Sequence, residues 1–96
     1  MPTISIIIRG KVQGVYYRAS AVEAARRAGC RGWVRNLADG SVEAVATGEE
    51  EGLDSFVGWC RKGPAGAVVT EVVVTLVKDA DFDGFSIVRG QADRGW

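Results

Sequence analysis

The apolar residues of this chain change their period along the sequence, from two to about 3.6 and back again. That alternation constrains the fold more than any other feature. Over residues 3–9 the run Thr3-Ile4-Ser5-Ile6-Ile7-Ile8-Arg9 is rich in β-branched side chains and puts Ile4, Ile6 and Ile8 on one face. A period of two built from stiff side chains predicts a strand. Gly10 ends it. Over 19–28 the period becomes helical, with Ala21, Val22, Ala25 and Ala28 in one stripe and Glu23, Arg26 and Arg27 outside it. Gly29 stands where a helix ending favours a left-handed residue, and the two arginines suit the negative end of the helix dipole.

Two short strands follow over 32–35 and 41–46, joined by Asn36-Leu37-Ala38-Asp39-Gly40, in which Gly40 supplies the positive φ such a connection needs. Thr47-Gly48-Glu49-Glu50 has capping-box spacing, so Thr47 is expected to cap a second helix. The stripe of that helix is Leu53, Phe56, Val57 and Cys60, and Gly63-Pro64 closes it. The run over 68–77, with six valines and a leucine, is the strongest strand signal in the chain. A turn over 79–84 leads to a short last strand over 85–88, and the aperiodic tail 90–96 is expected to be loosely held. Ninety-six residues suffice for one core, so residues 1–96 form a single domain. The order is strand, helix, strand, strand, helix, strand, with a short addition. Helices with one apolar stripe each cover one face of a sheet. The expectation is an α+β fold, a ferredoxin-like split βαβ (βαββαβ) with an antiparallel sheet and two helices on one face. That arrangement hosts many unrelated functions, so it decides none.

Composition removes whole classes of chemistry. Twelve Lys and Arg balance twelve Asp and Glu, which argues against a general polyanion binder because non-specific nucleic-acid affinity comes from basic charge. There is no histidine, so Ser-His and Cys-His catalysis and His-ligated metals are excluded. Cys30 and Cys60 cannot build a metal cage by themselves. One disulfide between them is arithmetically possible, but the absence of a disulfide framework and of a signal peptide favours a reducing cytoplasm. No apolar stretch approaches the ~20 residues of a membrane helix. The expectations are therefore a cytoplasmic monomer with no metal, no cofactor, no nucleic acid and no membrane, whose chemistry uses Arg, Lys, carboxylates, amides or backbone groups.

Between the first strand and the first helix lies Gly10-Lys11-Val12-Gln13-Gly14-Val15-Tyr16-Tyr17-Arg18. Glycine allows successive N–H groups to converge, a helix start adds unpaired donors with partial positive charge, and an arginine supplies a planar fork for phosphate oxygens. By itself the pattern also describes a tight strand-to-helix turn with a solvated arginine. The longer match discriminates. The loop closely resembles the acylphosphatase signature Gly-x-Val-Gln-Gly-Val-x-Phe-Arg. The stretch Gly32-Trp33-Val34-Arg35-Asn36-Leu37-Ala38-Asp39-Gly40-Ser41-Val42 resembles the second signature of the same family, Gly-x-Val-x-Asn-x-x-Asp-Gly-x-Val. The separation of the two blocks and the Gly63-Pro64 pair match as well, and the resemblance runs from about Ile4 to about Val88. Tyr17 stands where the family most often has Phe, which predicts a hydroxyl beside the loop, and Tyr16 occupies a variable position.

The resemblance implies an acylphosphatase, a hydrolase that cleaves the carboxyl–phosphate bond of a small acyl phosphate. It implies that Arg18 and the loop residues Gln13, Gly14, Val15, Tyr16 and Tyr17 hold phosphate and that Asn36 orients the attacking water. Inorganic phosphate is then product and inhibitor. The residue types suit the reaction. The leaving group is a weakly basic carboxylate, so no strong general acid is required, and an amide both donates and accepts without competing as a nucleophile. Without the paired loop, Asn36 would read as a residue ending its strand. Two other functions are weaker. An RNA-binding sheet of this fold would carry paired aromatics on its central strands, where this chain has isoleucines and Val42-Glu43-Ala44-Val45. A non-catalytic anion sensor would have no use for Asn36.

The remaining candidates read as structural. Cys60 lies on an apolar stripe and is expected to be buried; Cys30, beyond a helix stop, is expected to be partly exposed. Glu49-Glu50-Glu51 suits a helix N-terminus. Asp79, Asp81 and Asp83 lack the rest of a calcium loop, and Trp33 and Trp59 read as packing residues.

Overall fold

The structure is a computed structural model and describes residues 1–89; the expectation for the tail 90–96 lies outside them. The elements are β1 (Thr3–Lys11), α1 (Tyr17–Arg27), β2 (Arg31–Asn36), β3 (Val42–Thr47), α2 (Glu50–Lys62), β4 (Val68–Val77) and β5 (Phe85–Ile87). The strands form one sheet in the order β4-β1-β3-β2-β5. Ile4, Ile6 and Ile8 are all buried, as their period of two requires. They pair across β1 and β3 with Ala46, Ala44 and Val42, also buried. Ala21, Ala24 and Ala25 of α1 belong to the same core as the alanines of β3, and α1 itself lies over β2 and β5. Phe56 of α2 meets Phe85 of β5 edge-on, with ring centres 5.4 Å apart. Gly29 follows α1 with φ 75°, as its position predicted, and Gly63 closes α2 with φ 71° and ψ −177°.

Four details differ from the sequence reading. First, β5 runs parallel to β2, so the sheet is mixed, its other pairings being antiparallel. The reason is geometric. The connection after β4 crosses one end of the sheet to the opposite edge, so β5 starts at the end where β2 starts. A threonine pair anchors that crossing: the Thr3 and Thr47 hydroxyls lie 2.6 Å apart, Thr47 donates to the Ala80 carbonyl at 3.0 Å, and the Ala80 N–H donates to Thr3 at 3.0 Å.

Second, that anchor overturns the expected capping box. Thr47 is the last residue of β3, and its hydroxyl is engaged with Thr3 and Ala80. The N-cap of α2 is Glu49, without a side-chain cap, and Glu50 and Glu51 occupy the first turn as their charge suits. Third, Cys30 is only 3% exposed rather than partly open, because the chain turns inward after Gly29 to enter β2. Its thiol lies against Gly48, where an added Cβ would meet the sulfur at 3.3 Å. Cys60 is buried as expected, and both cysteines are free thiols. Fourth, α1 begins at Tyr17, two residues ahead of its periodic part.

Candidate active site

Two adjoining loops build the site. At the end of β1, Gly10 has φ 128°, and a Cβ there would lie 2.1 Å from the Val68 carbonyl oxygen. The register between β1 and β4 shifts at this point, a bulge that only glycine permits. Val12, fully buried, then pins the loop to the core. Gly14 (φ 76°) and Tyr16 (φ 60°) are left-handed, and Val15 between them is not. Left-handed residues in a short run are one ingredient of a backbone nest for an anion. Tyr16 is also the N-cap of α1, so the unpaired first-turn donors and the positive end of the helix add to the same field. Holding a tyrosine left-handed costs about 1–2 kcal/mol. The Tyr16 side chain is 85% exposed, so no packing of the ring compels that conformation.

The side chains divide by direction. Tyr17 does not present a hydroxyl to the loop, contrary to expectation. It is 2% exposed, and its hydroxyl donates to the Cys60 carbonyl at 2.7 Å. Its ring lies 5.1 Å from that of Trp59. Burial holds its phenol well above the ordinary range, so the residue serves as a core aromatic and offers the cleft its backbone. Val15 packs against the core. Arg18, in the first turn of α1, lines the cleft.

Asn36 is the last residue of β2. It faces the same cleft, of about 440 Å³, together with Gln13, Gly14, Tyr16 and Arg18. Its Oδ1 is buried and accepts no hydrogen bond among the described residues. Such an orphan costs about 1–3 kcal/mol unless water or a ligand engages it. The hairpin that carries Asn36 is tied to the loop by Gln13, whose Nε2 donates to the Leu37 and Ser41 carbonyls, both at 2.8 Å. The expected Asp39-Gly40 turn is present. Gly40 has φ 94°, and the Asp39 carboxylate accepts from the Ser41 hydroxyl and N–H. Those bonds, the hydroxyl's first, hold the Asp39 carboxyl below its usual value.

Sequence reasoning placed Gln13 in the phosphate loop but missed its task as a strut, and it missed Ile87 and Arg89, which complete the cleft wall. No local signal could have found these two, since they reach the cleft only through the parallel pairing of β5 with β2. On the open face of the sheet the Arg35 guanidinium lies 5.2 Å from the Trp33 ring centre and also contacts Glu43 at 2.7 Å. Trp33 is thereby covered, which does not suit a base-stacking platform.

A concavity with a left-handed loop, a helix N-terminus, two guanidinium groups and an unpaired amide oxygen suits a tetrahedral anion beside an ordered water. The sequence matches the acylphosphatase family profile over residues 4–87, nearly its whole length. The chain belongs to the acylphosphatase family. An acylphosphatase of Haloquadratum walsbyi is 50% identical over 84 residues, covering 88% of this chain and 90% of that one. One of Methylococcus capsulatus is 44% identical over 90 residues, covering 93% and 98%. The crystal structure of an acylphosphatase from Bacillus subtilis superposes with a TM-score of 0.89 at 38% identity, covering 93% of this chain and all of that one. This chain is accordingly an acylphosphatase-type enzyme with a ferredoxin-like α+β fold, and its family acts on acyl phosphates.

Proposed function

We propose that the enzyme hydrolyses small acyl phosphates to a carboxylate and inorganic phosphate by in-line attack of a water oriented by Asn36. Arg18 and the N–H groups of the 13–18 loop hold the phosphoryl oxygens. The water oxygen bonds to phosphorus as the bond from phosphorus to the acyl oxygen breaks. The carboxylate leaves with the electron pair, and the water's protons pass to phosphate and solvent. Catalysis of this kind is positioning plus stabilisation of charge on the phosphoryl oxygens. The observation that carries the reading is the orphaned Asn36 Oδ1, buried in the same cleft as Arg18. An acceptor with nothing to accept from is suited to fixing a water through one of its protons, leaving a lone pair of that water free to attack. No metal or cofactor enters the scheme. Two free buried thiols suit a reducing compartment such as the cytoplasm.

The test is steady-state phosphate release from an aryl acyl phosphate, with inorganic phosphate as competitive inhibitor. Arg18→Gln should lose ~3–4 kcal/mol of transition-state stabilisation, some 10²–10³-fold in kcat/KM, and weaken phosphate inhibition markedly. Arg18→Lys should also be poor because an ammonium lacks the bidentate fork. Asn36→Ala should lower kcat steeply and leave phosphate inhibition nearly unchanged, the mark of a group that acts in the transition state. Equal weakening of phosphate binding by Asn36→Ala and Arg18→Gln would overturn this division of roles. Wild-type protein that binds phosphate but does not turn over would make the site a sensor.

A further inference from the structure

The cleft carries a second guanidinium to which the reaction as written gives no task. Arg89 lines it together with Arg18, and among the described residues none that line it is acidic. The chain as a whole has no net charge, so the cleft gathers positive charge that is balanced elsewhere. Arg9, Arg31 and Arg35 each meet a carboxylate of the fold, and among the described residues Arg89 meets none. It is exposed at the rim. An arginine held at a concave site without a carboxylate is available to an anion that enters from solvent.

The parallel pairing of β5 with β2 fixes where that guanidinium stands. Gly32, Trp33 and Val34 pair with Phe85, Ser86 and Ile87, and the Val88 N–H donates to the Val34 carbonyl at 2.9 Å. Continued by two residues, the same register sets Arg89 beside Asn36, one strand spacing of about 4.8 Å away. Two residues along an extended chain return to one face, and Ile87, Arg89 and Asn36 all line the cleft. Arg18 comes from the facing layer, in the first turn of α1, which lies over β2 and β5. The position decides which part of an acyl phosphate Arg89 meets. In-line displacement puts the attacking water and the departing acyl oxygen on opposite sides of phosphorus, with three phosphoryl oxygens in the plane between them. A water held by Asn36 attacks from the sheet side, so the carboxylate leaves away from the sheet. Arg89 stands beside Asn36 with a longer side chain, which extends past that water to the plane of the phosphoryl oxygens.

We propose that Arg89 is a second catalytic arginine, which grips a phosphoryl oxygen from the sheet side while Arg18 and the 13–18 loop hold the others from the helix side. The assignment rests on the hydrolase reading given above and adds a residue to it. Bonds and protons move as already written. Arg89 stays protonated throughout and supplies only charge where charge builds on the phosphoryl oxygens. At the exposed rim that charge is screened by water and salt, so its contribution is smaller than that of Arg18. Because it meets the phosphoryl group and not the acyl group, its contribution is the same whatever acyl group the substrate carries.

Phosphate release from benzoyl phosphate, whose acyl group is neutral, and from succinyl phosphate, whose acyl group carries a carboxylate, tests the assignment. Arg89→Gln should lose ~10- to 30-fold in kcat/KM, mostly in kcat, and by the same factor on both substrates. Arg89→Lys should stay within ~3-fold of wild type, because a rim charge acts without the fork that Arg18 needs. Inhibition by orthovanadate, whose five-coordinate form has three equatorial oxygens, should weaken more than inhibition by inorganic phosphate. Arg27→Gln removes the same charge at the far end of α1 and should change kcat/KM by less than ~2-fold. Urea midpoints equal to that of wild type are expected for all three variants, since none of them loses a core contact. A wild type that fails to turn over refutes the hydrolase reading itself. An active wild type with an equally active Arg89→Gln, or with the loss confined to succinyl phosphate, overturns this assignment alone. So does an equal loss in Arg27→Gln, which would make the effect one of overall charge.

Discussion

Truncating Gln13 to alanine should loosen the hairpin that carries Asn36 without touching the phosphate nest. Gln13 Nε2 donates two hydrogen bonds of 2.8 Å, to the Leu37 and Ser41 carbonyls. A bond of this kind contributes about 1 kcal/mol net. Neither acceptor is stranded by the change, because Leu37 O also accepts from Gly40 N at 3.2 Å and Ser41 O from Leu37 N at 2.8 Å. The full penalty of two buried unsatisfied carbonyls therefore does not arise, and the loss is about 1–2 kcal/mol. In a domain of this size that lowers Tm by roughly 5–15 °C. Because Asn36 sits at the end of the strand the strut braces, kcat should fall by roughly 10- to 100-fold. Inhibition by inorganic phosphate should change little, since Arg18 and the helix N-terminus are intact. Gln13→Glu provides the control. It keeps the length of the side chain but turns a donor into a carboxylate facing two carbonyl oxygens, so at neutral pH it should be less stable than the alanine variant and recover as the pH falls. Calorimetry and phosphate release on the three proteins decide the matter. An alanine variant as stable and active as wild type, or a glutamate variant that melts above it at neutral pH, would refute the strut.

Three further outcomes are expected. Gly32→Ala should cost roughly 3–5 kcal/mol, read as a fall in the urea midpoint, because φ there is 146° and a Cβ would lie 1.9 Å from the Val45 carbonyl oxygen. Stability should also fall in alkali. Burial pushes the Cys60 thiol up from 9.0 to about 12, so its contribution is fully present below pH 9 and is lost as pH rises toward 12. The slope is about 1.4 kcal/mol per pH unit, and urea titrations of Cys60→Ala should show a shallower decline than wild type. Finally, exhaustive dialysis against a chelator should leave phosphate release unchanged, since among the described residues no three His, Cys, Asp or Glu side chains converge. Loss of activity restored by magnesium or zinc would contradict this.

Much of the site was legible because its parts are local. The glycines of the first loop, the arginine in the first turn of the helix and the Asn36-to-Gly40 turn each impose their geometry within a few residues, and the strand–helix order brings both loops to one end of the sheet. The directions of the side chains were not legible. Tyr17 lies in the loop motif yet turns into the core, where Trp59 and the Cys60 carbonyl accommodate it. Gln13 points across to the hairpin. Thr47 has the spacing of a cap, but its hydroxyl is taken by Thr3 and Ala80, residues 44 and 33 positions away.

The sequence by itself determined which segments are strands and helices, where they stop, and which residue types could meet a phosphate. Those follow from period, β-branching and the backbone preferences of glycine, all forces that act over one or two turns. Tertiary structure decided that the most apolar strand lies at an edge, that β5 runs parallel beside β2 and that Ile87 and Arg89 close the cleft. A hydrophobic period says that a side chain is covered, and nothing in it says which of several distant segments does the covering.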